Sequence, residues 1–139
     1  EIYKHQAMVG ATPEGIEFMT DLLNEWMDEA GVPRATVVQM DIAVDEIMGN
    51  IVRYAYDEEG GVVTVLFKAD ATAKELILTF IDGGKPFNPT EIEDPDTTLG
   101  LDERVPGGLG IFLVRQETDT MPYEYVDECN KLTIVKQYE

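Results

Sequence analysis

The sequence is short of cysteine, histidine and positive charge, and each shortage narrows what the chain can be. Cys129 is its only cysteine. One thiol cannot staple its own chain, so disulfides do not hold this fold, which suits a reducing cytoplasm. Cys129 itself reads as a small, half-buried residue near a turn. Ten Lys and Arg stand against 28 Asp and Glu, for a formal net charge of −18. Such a surface excludes direct contact with nucleic acid. It also opposes anionic substrates at long range, although screening beyond ~8 Å leaves room for a local anion site that supplies its own donors and a metal ion. No apolar run approaches the ~20 residues needed to cross a bilayer. The opening residues Glu1 to His5 lack the basic start and apolar stretch of a secretory signal. The expectation is a cytoplasmic protein with no membrane contact.

What is present is the material for a core. Hydrophobic residues make up 44% of the 139, enough for one domain over 1–139. Residues 2–9 suit a first strand. Thr12-Pro13-Glu14 marks a helix start, with a capping hydroxyl, a proline in the first turn and an acid after it. Ile16, Met19, Leu22, Leu23, Trp26 and Met27 follow at helical spacing, and Ala30-Gly31 with Pro33 ends the helix. A second helix is expected over 35–55, with Val38, Ile42, Val44, Ile47, Met48, Ile51 and Val52 as its apolar face. Strands at 62–68 and 75–82 form a hairpin through the turn at 70–74. Residues 83–108 read as a long irregular segment of the kind that serves as a functional lid. A third helix opens at Gly110, and strands at 123–126 and 132–135 close the chain as a second hairpin.

Three short constellations carry chemistry. In the second helix, Glu46 and Asn50 lie four apart and share a face. A carboxylate there can take a proton from an attacking hydroxyl, and an amide oxygen suits Mg²⁺. Ile47, Met48 and Ile51 flank the pair and argue against a merely solvated face. Gly49 between them costs about 1 kcal/mol against alanine, which suggests close approach of a ligand. Past a strand end, Asp82-Gly83-Gly84-Lys85-Pro86-Phe87 offers a carboxylate for an exocyclic amine such as that of adenine, beside glycine that lets a flat base approach. Taken alone it reads as a strand-terminating turn. Finally, Pro106-Gly107-Gly108-Leu109-Gly110 precedes the apolar run Ile111 to Val114, so backbone N–H groups at a helix start can receive phosphate. No Gly-Lys-Ser/Thr phosphate loop is present. A dinucleotide fingerprint fails because Leu113 stands in place of the third glycine and no strand precedes. Asp94, Asp96 and Thr98 imitate a calcium loop, but Leu99 and Val105 occupy its glycine and glutamate positions.

In this order and on these elements, the three pieces resemble the GHKL superfamily, the histidine-kinase-like ATPases. Glu46-x-x-x-Asn50 is similar to its N box, Asp82-x-Gly84-x-Pro86-Phe87 to its G1 box and Gly108-x-Gly110 to its G2 box. Asp82 to Pro89 and Gly107 to Arg115 resemble most the RsbW-type anti-sigma-factor serine-protein kinases, and the similarity runs from about Thr12 to Lys136. The resemblance implies an α+β fold, a two-layer α/β sandwich with a mixed sheet and helices on one face. It implies ATP and Mg²⁺, with Glu46 as general base, Asn50 as the Mg²⁺ ligand and Asp82 on the adenine amine. Gly84 admits the base, and Gly108 and Gly110 donate to phosphates. Arg104 and Arg115 are further candidates for phosphate or a partner. The implied partners are a STAS-domain antagonist, phosphorylated on serine or threonine, and a sigma factor, with the chain as a homodimer. The alternative is a module without catalysis, in which ATP orders a surface that sequesters a sigma factor. Met48-Gly49 and Tyr54 depart from the family pattern, Tyr54 standing where a histidine is frequent.

Overall fold

The computed structural model describes residues 1–91, 114–115 and 118–139. Strand β1 (Ile2–Gly10) leads into helix α1 (Pro13–Glu29) and helix α2 (Arg34–Asn50). The helix continues from α2 as a π-helical turn, Ile51–Ala55. Strands β2 (Val62–Asp70) and β3 (Glu75–Asp82) follow, then a short 3₁₀ turn at Pro89–Glu91, and the hairpin β4 (Tyr123–Val126) and β5 (Cys129–Gln137). The sheet order is β1-β2-β3-β5-β4.

The helix starts follow local chemistry. Thr12 caps α1 by accepting Gly15 N–H at 2.9 Å, with Pro13 in the first turn. Pro33, in extended backbone, opens α2 without a side-chain cap. The helices pair through Asn24 Nδ2, which donates to Asp41 Oδ1 at 2.7 Å. Met19, Leu23 and Met27 of α1 and Met40, Val44, Ile47 and Met48 of α2 are buried. They pack on one face of the sheet, against Val63, Val65 and Phe67 of β2, Leu76, Leu78 and Phe80 of β3, and Leu132 and Ile134 of β5. Alternate burial along β2 is the period of a sheet with one covered face.

Two expectations are corrected. Val38 and Ile42 do not belong to the apolar face of α2, being 44% and 49% exposed. They sit roughly opposite Met40 and Val44 on the helical wheel, so both sets cannot face the sheet. The two-layer sandwich is present, but the sheet is not mixed among the described residues: all four pairings are antiparallel. The reason is the helical hairpin. α1 carries the chain away from the end of β1 and α2 brings it back, so β2 starts where β1 stopped and runs opposite to it. Cys129 is half-buried, directly after the tight turn Asp127-Glu128, whose residues have φ of 53° and 62°. No helix among the described residues is long and apolar enough to cross a membrane.

Candidate nucleotide site

The end of α2, the end of β3 and the start of β5 meet around one cavity. Asn50 and Ile47 reach it from α2, Phe80 and Asp82 from β3, Phe87 and Pro89 from the following loop, and Tyr123 and Asn130 from the last hairpin. Its walls are mostly apolar, with Asn50, Asp82 and Asn130 as the amide and carboxylate groups among them.

Register delivers the central pair. Asp82 and Asn130 are direct cross-strand partners in the antiparallel β3–β5 ladder, and both are buried, at 4% exposure each. Asn130 Nδ2 donates to Asp82 Oδ1 at 2.9 Å and to Lys85 O at 2.9 Å. Its Oδ1 accepts Phe87 N–H at 3.0 Å and the Tyr123 hydroxyl. Asp82 Oδ1 also receives Gly84 N–H at 3.0 Å. Burial raises the Asp82 pKa, and the hydrogen bonds from Asn130 and Gly84 N–H oppose the rise.

The loop after Asp82 is held against the end of the second helix. Lys85 N–H donates to Ala55 O at 2.9 Å. A Cβ on Gly84 would lie 2.3 Å from Ala55 O, so glycine is required here by the protein's own backbone. Tyr54 stacks on Phe87 with centroids 5.0 Å apart. Tyr56 hydroxyl donates to Val62 O at 2.8 Å and accepts Gly83 N–H at 2.8 Å.

Glu46 and Asn50 share one flank of α2, as their spacing predicts, but a third residue joins them. Arg53 Nη2 donates to Asn50 Oδ1 at 2.6 Å and lies 3.7 Å from Glu46 Oε1. A Cβ on Gly49 would come within 3.2 Å of Arg53 Nη1, so the bare backbone at Gly49 gives the guanidinium its space. Glu46 Oε1 and Asn50 Nδ2 are buried and make no well-formed hydrogen bond among the described residues, although the Asn50 amide lies close enough to lower the Glu46 pKa. Orphaned groups of this kind ask for an explanation, and an absent ligand is a standard one. The Glu46 pKa is raised, first by burial; the Arg53 cation opposes the rise, Asp45 adds to it, and the Asn50 amide lowers it.

The structure therefore brings Asn50 and Asp82 to one cavity and sets Glu46 one turn back along the helix. Gly84 lies outside that lining, against Ala55. Gly108, Gly110 and Arg104 fall outside the described residues, as does the calcium-loop look-alike. Arg115 Nη2 donates to Thr90 O. Sequence reasoning missed Arg53 and Asn130. Arg53 follows Asn50 by three and Glu46 by seven, a same-face spacing that could have flagged it. Asn130 alternates with Leu132 and Ile134, which marks it as an inward polar residue on a strand.

With this geometry in place, comparison with known proteins defines the class. The model of the histidine kinase-like ATPase domain family matches residues 9–136, and the chain belongs to that family. Serine/threonine-protein kinase BtrW of Bordetella bronchiseptica is 30% identical over 95 residues, covering 68% of this chain and 66% of BtrW. The crystal structure of the RsbU and RsbW domains of Rv1364c from Mycobacterium tuberculosis superposes with a TM-score of 0.66 at 12% identity, covering 97% of this chain and 32% of that one. That likeness carries the fold. The resemblance read from the three sequence boxes is borne out at the level of the family.

Proposed function

We propose that this chain is an Mg-ATP-dependent protein serine/threonine kinase that also acts as an anti-sigma factor, with a STAS-domain antagonist as its phosphoryl acceptor. The observation that carries the reading is the convergence of Asp82 and Asn50 on one mostly apolar cavity, with a half-buried carboxylate, Glu46, one turn away. The family match and the likeness to BtrW support it.

Asp82 accepts the exocyclic amine of adenine between apolar walls. Asn50 supplies the oxygen for Mg²⁺. The fit rests on chemistry: that oxygen already accepts a cationic donor, Arg53, and Mg²⁺ in such sites takes one or two protein oxygens, with phosphates and water completing the shell. No group of three or more His, Cys, Asp or Glu among the described residues makes an all-protein cage. Bound Mg-ATP supplies the transferable phosphoryl group and neutralises its charge. Glu46 takes the proton from the acceptor hydroxyl, and its raised pKa makes it a better base than an ordinary glutamate. Gly108 and Gly110, supported by the sequence motif, give backbone N–H groups to the phosphates. Exposed acids along α1, Glu14, Glu17, Asp21, Glu25, Asp28 and Glu29, suit the basic surface of a sigma factor. The chain works as a cytoplasmic homodimer in this reading.

Thermal unfolding with ATP, Mg²⁺ and both tests the site. A ligand that binds only the folded state stabilises it by about 2.7 kcal/mol at 100 times its dissociation constant. Mg-ATP raises the midpoint of the wild type and leaves Asp82→Asn unmoved. No rise at millimolar Mg-ATP removes the kinase reading. Transfer to the antagonist is then lost in Glu46→Ala while nucleotide binding remains.

A further inference from the structure

Asn130 does more than hold a loop. All of its amide hydrogen-bonding positions are committed: two donors, to Asp82 Oδ1 and Lys85 O, and two acceptances, from Phe87 N–H and the Tyr123 hydroxyl. It has no freedom to turn. The consequence falls on Asp82. Among the described residues both hydrogen bonds that this carboxylate receives, from Asn130 and from Gly84 N–H, land on Oδ1. An oxygen has two lone-pair sites, so Oδ1 is saturated and Oδ2 is left to read a ligand.

The number of open oxygens decides which base fits. A carboxylate with both oxygens open suits two adjacent donors, as on the N1–H and 2-amino edge of guanine. A carboxylate with one open oxygen gains from a single donor, as on the 6-amino group of adenine, and earns nothing from a second. We infer that Asn130 is a specificity-determining residue, which selects adenine over guanine by occupying one oxygen of Asp82. This deepens the proposed nucleotide site and rests on it.

The test uses ATP, GTP and ITP as probes, read by displacement of a fluorescent ATP analogue in the presence of Mg²⁺. ITP is guanine's match without the 2-amino group, so the GTP-to-ITP affinity ratio reports whether a second carboxylate oxygen is open. In the wild type ATP binds more tightly than GTP, and GTP and ITP bind equally. Asn130→Thr keeps a donor for Oδ1 and retains this pattern. Asn130→Val has the same shape without the donor, and its GTP-to-ITP ratio rises on the order of tenfold, the worth of one hydrogen bond to a charged group. Equal losses for all three nucleotides in Asn130→Val, with the ratio unmoved, make Asn130 structural only and overturn the inference. A wild type that holds GTP tenfold more tightly than ITP overturns it as well, and that arm needs no variant to fold. A wild type that binds ATP no better than GTP has the same force. Binding of none of the three by the wild type defeats the nucleotide site itself, a distinguishable result.

Discussion

The Arg53 guanidinium bonds to Asn50 Oδ1 at 2.6 Å and lies 3.7 Å from Glu46 Oε1, so one cation addresses both Glu46 and Asn50. The pair with Glu46 is long and half-exposed on the arginine side, too loose to add much stability. Its effect on the carboxyl is electrostatic: it restrains a pKa that burial raises. Arg53→Met therefore moves the Glu46 titration to still higher pH, measured by NMR of the side-chain carboxyl in the nucleotide-free protein. An unchanged titration would show that the guanidinium does not act on Glu46.

Glu46→Gln tests the same burial from the side of stability. The Glu46 carboxyl holds its proton more tightly folded than unfolded. Its contribution to stability is thus fully present below the ordinary glutamate value of 4.5 and is lost as pH rises through the raised native value. Glutamine copies the protonated form at every pH. At neutral pH the nucleotide-free variant unfolds at a higher temperature than the wild type, and the gap narrows as pH falls through the raised native value and is closed below 4.5. A gap that widens on acidification would mean that the carboxylate, not the carboxylic acid, is the favoured native form. The same variant loses phosphoryl transfer, so stability and activity move in opposite directions.

The layout of the chain is legible because its signals are local. Thr12-Pro13 starts a helix, the turn at 70–74 joins two β-branched runs, and both hairpins are present, although β5 starts at Cys129, three residues before the expected strand. The apolar face of α2 is less legible. That helix buries Thr36 and Asn50 and exposes Val38 and Ile42, so hydrophobicity alone does not point to its inner side. Glu46, Asn50 and Asp82 are readable as short spacings. The pairing of Asp82 with Asn130 is not, because it depends on which strand lies beside β3 and in what register, and that is settled by the whole sheet.

Gly84 illustrates a residue whose motif position has a second physical cause. Its glycine admits the Ala55 carbonyl, which an added Cβ would meet at 2.3 Å. The obstacle is backbone, which cannot rotate away. Gly84→Ala pushes the loop off the helix end and strains the Lys85 N–H to Ala55 O bond. The expected cost is roughly 1–3 kcal/mol of folding stability, typical of overpacking. Urea unfolding of the nucleotide-free protein measures it. A loss within experimental error would mean that the loop moves away freely, and that glycine serves only the ligand.

Tyr56 connects three segments through one hydroxyl, from the end of the second helix to Val62 at the start of β2 and Gly83 beside Asp82. Gly83 and Val62 are both exposed, so water replaces the lost partner when the hydroxyl is removed. Tyr56→Phe therefore costs only about 1 kcal/mol of stability. The larger effect is expected on the ligand. Gly83 follows Asp82 directly, and freeing its N–H lets the start of the loop move relative to the helix that carries Asn50. Nucleotide affinity falls in Tyr56→Phe by a greater factor than stability does, while Thr12→Ala, which removes the α1 cap far from the loop at a similar cost, leaves affinity unchanged. Calorimetric titration with Mg-ATP on both variants separates the two effects. Equal affinity in both would show that the Tyr56 bridge holds the fold and not the site.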